Sequence, residues 1–235
     1  MQDFGQSFVL AFGLVFSLDA DLLEIVALSL HVSLSAVLVS CVLGLPLGAL
    51  IAIGRFPGRR LLHILLNSLM GLPPVVVGLL VYLLLSNAGP LGWLRLLYSP
   101  AAMIIAQTVL ITPIVAALTA QVIADLNKEY QESFRSMSVP LTTAVKALLW
   151  DARFSLLTVA LAGFGRAVAE VGAVMIVGGN IDHLTRVMTT AIALETSKGD
   201  LALALALGIV LMALAVLVNT AVMATRLTAA KSAYV

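Results

Sequence analysis

Arg166 and Glu170 are the only charges in a stretch that is otherwise apolar from Phe154 to about Gly178. Four residues apart on a helix, they lie one turn from each other and can pair. At the centre of a membrane each charge costs roughly 2.5 to 3.5 kcal/mol, so both must face protein or water. Two chemistries suit them. One is a buried ion pair that fixes helix packing. The other is a bidentate fork of arginine donors for an anionic group, with Glu170 weakening a site that would otherwise trap its ligand. Pro73 and Pro74 donate no backbone hydrogen bond and clash with carbonyls one turn earlier, so they break a helix either as a gate on a substrate path or as a plain kink. Thr108 and Thr112 offer hydroxyls, either to a ligand or to the backbone disturbed by Pro113. His31, His63 and His183 are scattered and are assigned no metal, and no nucleophile and base sit together as a hydrolase would require. No catalytic residue is assigned.

The elements that position these residues follow from composition. Of 235 residues, 61% are apolar and 11% charged, against about 45 to 50% and about 25% in soluble domains. Charge this sparse could not cover a globular surface, so lipid is the solvent that permits the chain. Five stretches reach the roughly 20 apolar residues that a crossing helix needs. They run from Ile25 to Gly54, Leu61 to Leu94, Leu96 to Ala124, Phe154 to about Gly178, and Leu201 to Thr225. Pro46 and Pro113 are further candidate kinks. In the fourth stretch Ala162, Gly165, Ala169, Gly172 and Ala173 fall on one helical face, which invites close approach by another helix. The segment from Phe4 to Phe16 is too short to cross. Its Phe4, Phe8, Phe12 and Phe16 share one face, which suits a helix lying in the interface. No Lys or Arg precedes Arg55, so the basic region of a signal peptide is missing. Cys41 lies within an apolar run and reads as a small buried hydrophobe.

Cytoplasmic loops hold an excess of Lys and Arg. With the N-terminus outside, Arg55, Arg59, Arg60, Lys128, Arg135, Lys146, Arg153, Arg226 and Lys231 are cytoplasmic, and only Arg95, Arg186 and Lys198 are external. The acidic flank of Asp3, Asp19, Asp21 and Glu24 suits an outer face. This orientation makes residues 125–153 the largest cytoplasmic loop, and the C-terminus is cytoplasmic. In that loop Leu126, Tyr130, Phe134 and Met137 form an apolar stripe on a short helix whose other faces carry Asp125, Lys128, Glu129, Glu132 and Arg135. Ser138, Val139 and Pro140 break it, with Ser138 as the expected N-cap of a second short helix carrying Leu141, Val145 and Leu148. The pattern is a helix-turn-helix with apolar residues at its bend. It either packs on its own spans or docks on a partner.

Three stretches together resemble the membrane subunits of type I ATP-binding cassette importers. The loop hallmark, a Glu-Ala-Ala opening with a Gly a few residues later and a Leu-Pro near the end, corresponds to Glu132-Ser133-Phe134-Arg135-Ser136-Met137-Ser138 and Trp150-Asp151-Ala152-Arg153. Ser138 stands where Gly is usual, and Asp151 where Pro is usual. Gly71-Leu72-Pro73-Pro74-Val75-Val76-Val77-Gly78 is similar to a run in the oxyanion branch, which carries molybdate, tungstate or sulfate. Gly165-Arg166-Ala167-Val168-Ala169-Glu170-Val171-Gly172-Ala173, followed by Gly178-Gly179-Asn180-Ile181, is similar to the same branch, and its Glu170-Val171-Gly172-Ala173-Val174-Met175 form, together with Trp150-Asp151-Ala152-Arg153, looks most like the tungstate permeases.

The resemblance implies an all-α integral membrane protein with about five transmembrane helices, an N-terminal interfacial helix (1–20), a permease domain (21–226) with a coupling loop at 125–153, and a short tail (227–235). It implies ATPase coupling through Glu132, Phe134, Met137, Ser138, Val139, Pro140 and Leu141. Pro73, Pro74, Thr108, Thr112, Arg166 and Glu170 are the candidates for the path and gate. None of the four lysines follows a Gly in a phosphate-binding loop, so ATP and Mg are expected on a separate ATPase, and this chain is expected to be no enzyme and to hold no cofactor. No internal repeat is visible, so a second copy is expected to complete the pathway. The expected assembly is a homodimer in the inner membrane with two ATPase subunits and an extracytoplasmic oxyanion-binding protein, without nucleic acid, working by alternating access. A sulfate or other anion permease is one alternative, and a secondary transporter driven by an ion gradient is another.

Overall fold

The computed structural model describes residues 4–17, 19–54 and 56–232, with side chains placed from residue 7 to residue 224. Asp3 and Arg55, and the side chains of Phe4, Arg226 and Lys231, lie outside the described residues. Every regular element described is helical. These are α1 (Phe4–Phe16), α2 (Ala20–Ile53), α3 (Arg59–Met70), α4 (Pro74–Leu85), α5 (Pro100–Ser136), α6 (Leu141–Asp151), α7 (Arg153–Val168), α8 (Gly172–Gly178), α9 (Met188–Lys198) and α10 (Leu201–Ser232), with a 3-10 turn at Gly92–Leu94. Three helices, α2, α5 and α10, are long and apolar enough to cross a membrane, and the number rises to five if the bent pairs α3–α4 and α6–α7 each count as one span. Pro46 and Pro113 sit inside the continuous helices α2 and α5.

The chain forms two compact units. The first comprises Met1–Ala36, Pro73–Gln107 and Gly165–Val218, and the second Val37–Leu72, Thr108–Phe164 and Asn219–Val235. In the first unit, Ala11 of α1, Leu22 and Ile25 of α2, Met188 and Ala191 of α9, and Ala206 and Leu207 of α10 form one buried cluster. The small face of α1 therefore packs inward, while Phe12 and Phe16 are exposed and stack with ring centroids 6.5 Å apart. In the second unit, Ala49 and Ala52 of α2, Ala120 and Ile123 of α5, Val145 and Leu148 of α6, and Ala152 and Leu156 of α7 make the core. The corner between α6 and α7, bent by 75°, wraps this core. The Arg59 guanidinium donates to the Ala52 carbonyl, satisfying one of the last-turn acceptors of α2.

Three expectations need correction. The fourth span is not one helix, because α7 ends at Val168 and α8 begins at Gly172. The small-residue stripe is therefore divided, and a Cβ at Gly165 would meet nothing within 4 Å. The loop does not begin with a separate short helix, since α5 runs unbroken from the third span to Ser136. Nor is Ser138 an N-cap. It closes α5 from the left-handed region at φ 53°, and Pro140 occupies the N-cap of α6 without a side-chain bond.

Candidate functional site

The first unit holds the break between α7 and α8. Arg166 Nη1 donates to Glu170 Oε2 at 2.6 Å, so the charges pair although Glu170 lies beyond the end of α7. The Glu170 side chain is 3% exposed and that of Arg166 35%. Glu170 Oε1 accepts from the Ala173 backbone N–H at 3.2 Å, which caps the first turn of α8 with a negative charge. The Glu170 carbonyl accepts from Thr189 Oγ1 at 2.7 Å, and its own N–H donates to Ala167 O at 3.1 Å. The Ala173 N–H, the Glu170 N–H and the Glu170 carbonyl thus find partners within the protein, which is what a broken helix at membrane depth needs.

The helix that Pro74 opens, α4, packs against α8. Pro73 is the N-cap of α4, extended at φ −62° and ψ 124°, and Pro74 opens the helix, where a missing N–H costs nothing. The bend brings Val75 against α8. A Cβ on Gly172 would come within 2.8 Å of Val75 Cγ2, and one on Gly78 within 2.8 Å of the Ala173 Cα. Close approach therefore belongs to α4 and α8 rather than to a face running the length of the fourth span. At the far end of α8, Gly179 (φ 72°) and Asn180 (φ 50°) turn the chain through left-handed backbone, and Thr185 Oγ1 donates to Gly178 O at 2.6 Å.

Sequence reasoning missed the residues that hold Glu170 from behind. Gln107 Nε2 donates to Ala167 O at 3.1 Å, while its buried Oε1 has no partner among the described residues. Beside it a cavity of about 10 Å³ is lined by Ser29, Ser33, Gln107, Glu170 and Thr189, room for about one water and none for an oxyanion. The available signal was Gln107 itself, an amide inside an apolar run. Arg166 differs from Glu170 in remaining partly open, with further guanidinium N–H groups beyond the one given to the carboxylate.

Thr108 and Thr112 fall in the second unit. Thr112 Oγ1 donates to Thr108 O at 2.7 Å, and Ser40 Oγ donates weakly to the same carbonyl at 3.4 Å. The Thr112 proton is thus spent on backbone beside Pro113, and Thr108 Oγ1 is buried without a partner among the described residues. A cavity of about 390 Å³ in this unit is lined by Gln121, Ser155 and Thr158 among apolar residues.

The bend after α5 is also in the second unit. Ser138 N–H donates to Arg135 O at 3.2 Å and Val139 N–H to Phe134 O at 3.0 Å, the pair of bonds that closes a helix through a left-handed residue. That position favours glycine, which gives a physical reason for Gly to stand here in the resembling loop. Met137 is 66% exposed, and Leu141 is also exposed. Glu132, Ser138 and Pro140 are exposed too, and Val139 is half-buried. Phe134 instead packs on the core of its own unit and stacks on Tyr130 at 5.6 Å. Tyr130 Oη donates to Asp151 Oδ2 at 2.7 Å, tying the end of α5 to the end of α6. The tip carries exposed apolar side chains, and one hydrogen bond joins the helices that flank it.

His183 is not isolated. Its Nδ1 lies 2.9 Å from Glu24 Oε2, and that hydrogen bond, with the charges of Glu24, Asp182 and Asp21, raises the imidazole above its ordinary pKa. Asp21, Glu24 and His183 form an exposed group.

Residues 44–225 match the family model described as binding-protein-dependent transport system inner membrane component. The chain is 37% identical over 222 residues to the tungstate uptake system permease protein TupB of Peptoclostridium acidaminophilum, covering 94% of this chain and 97% of that one. It is 38% identical over 203 residues to a probable anion ABC transporter permease protein of Haloferax volcanii, covering 84% and 88%. Similarity to the sulfate transport system permease protein CysW of Escherichia coli is lower, 29% over 180 residues, covering 69% and 58%.

Proposed function

The chain belongs to the family of binding-protein-dependent transport system inner membrane components, and from that premise we propose that it is the permease of an ATP-driven tungstate importer. The full-length similarity to a tungstate uptake permease supports the substrate, the sulfate permeases being more distant. Two copies of the chain form the pathway, two ATPase subunits bind ATP and Mg on the cytoplasmic side, and an extracytoplasmic protein delivers the anion. The observation that carries this reading is the exposed tip at Met137 and Leu141, flanked by helices that the Tyr130–Asp151 bond joins. A protruding apolar bend is a solubility liability unless a partner groove receives it.

In this reading ATP-driven closure of the ATPases pulls on the bend from Met137 to Leu141, and α5 and α6 carry the movement to the spans. Glu132 lies on the polar side of the same hairpin, and Phe134 anchors it to the core. Pro73 and Pro74 set the turn at which α4 bears on α8, so that turn is the gate. Arg166 meets the oxyanion with its free guanidinium donors, while Glu170 holds the guanidinium and limits how tightly it binds. Thr108 and Thr112 shape α5 at Pro113 rather than bind the anion.

The N-terminus is outside and the C-terminus cytoplasmic, a placement supported by the nine-to-three division of basic residues. Assembly and orientation are tested together. The tagged permease should copurify with its ATPase in equal numbers. Cysteine at Ser136 should label from the cytoplasm only, and cysteine at Ser197 from the outside only. Labelling of both from one side, or a permease that transports without an ATPase, contradicts the proposal.

A further inference from the structure

Where α6 turns into α7, Arg153 is exposed, and no carboxylate lies within 4.0 Å of it among the described residues. The neighbouring Asp151 is occupied by Tyr130. Arg153 Nη1 donates to the Trp150 carbonyl at 2.9 Å, and its guanidinium carbon sits 5.3 Å from the centroid of the Trp150 ring and 4.7 Å from that of Phe154. These contacts fix the guanidinium without neutralising it. Trp150 is 74% exposed, an amphipathic ring of the kind that settles at headgroup depth. From Arg153 an apolar groove of about 550 Å³ runs between α2 and α7, lined by Leu38, Val42, Pro46, Leu156, Leu157 and Ala160 among others.

An apolar groove whose lining includes an oriented guanidinium with no carboxylate partner among the described residues matches one membrane component, a lipid with an apolar tail and an anionic head. We propose that this groove is a binding site for an anionic phospholipid, with an acyl chain against α2 and α7 and the phosphate on Arg153. The volume lies within the roughly 300 to 1,000 Å³ of small-molecule sites. Arginine forks match phosphate geometry, and basic pockets between spans on the cytoplasmic side take acidic headgroups. The groove and the guanidinium make the site, and only its place at the anionic inner leaflet rests on the orientation proposed above. The groove also borders the α6–α7 corner, so the lipid would brace the hairpin whose tip is Met137.

The full chain is placed in membranes of equal phosphatidylglycerol and phosphatidylethanolamine and extracted in detergent, and the lipid retained per chain is measured. The wild type should retain phosphatidylglycerol in preference. Arg153→Gln should lower the ratio of phosphatidylglycerol to phosphatidylethanolamine about fivefold, the share of one basic group near a membrane surface. Ala160→Trp, which fills the trough and leaves Arg153 in place, should release both lipids. An unchanged ratio in Arg153→Gln overturns the proposal. So does Ala160→Trp if it alters the oligomeric state and not the lipid, because the groove would then belong to a second copy. If the ratio falls while a cysteine at Ser136 labels from outside, the orientation is wrong and the lipid site stands.

Discussion

Glu170→Gln should harm the folded permease more than the same change combined with Arg166→Gln. Glutamine keeps the carbonyl that accepts from Ala173 N–H, so the single change removes the negative charge and little else. Arg166 is then left with no counter-charge at 2.6 Å. Breaking a buried pair from one side costs about 3 to 5 kcal/mol, and the 35% exposure of Arg166 places the loss near the lower figure. Removing both charges leaves no unpaired ion and should recover most of it. Thermal unfolding of the detergent-solubilised protein measures the difference, and tungstate uptake by the same variants tests the role in transport. A double variant that assembles normally and does not transport assigns Arg166 to the substrate path. Equal loss of stability in every variant would contradict the pairing, and equal loss of uptake would leave the path without support.

Met137→Asp should detach the permease from its ATPase while leaving it inserted and dimeric. Met137 is 66% exposed in the chain alone, so the aspartate meets no conflict there. Losing the burial of one such side chain in a partner groove removes about 1.5 to 3 kcal/mol, at least about a tenfold loss of affinity before the desolvated charge is counted. Copurified ATPase and substrate-stimulated ATP hydrolysis should fall together. Lys128→Ala is the control. Its ammonium lies 2.8 Å from Asp125 on the open side of the same helix, where an ion pair is worth roughly 0 to 1 kcal/mol. A Met137→Asp permease that still recovers and stimulates its ATPase would show that the bend is not the docking element.

Length and apolarity made the spans legible, because a hydrocarbon solvent permits little besides long apolar helices. The Pro73–Pro74 break and the bend at Met137–Pro140 were legible for a similar reason, since residue types with fixed backbone demands sit there. The interruption at Glu170 was not. Apolar periodicity continues through Ala169, Val171 and Gly172, and the break is held by one local bond and one distant one. The Glu170 carboxylate turns back onto the first turn of α8, and Thr189, 19 residues on, takes its carbonyl. No window centred on the break contains that partner. Ser138 was misread for a related cause. Serine before proline resembles an N-cap, whereas the bonds to Arg135 and Phe134 make it the left-handed end of the preceding helix. The Gln107 support behind Glu170 was hidden by distance in the chain, its partner Ala167 lying 60 residues away.

Uptake in vesicles tests the central claim most directly. The permease is reconstituted with its ATPase, ATP is enclosed on the ATPase side, and the binding protein is supplied outside with tungstate, molybdate or sulfate. The expected result is accumulation that requires ATP, the ATPase and the binding protein, with tungstate favoured over molybdate and sulfate little transported. Accumulation by the permease alone under an ion gradient, or ATP-dependent uptake that favours sulfate, would contradict it.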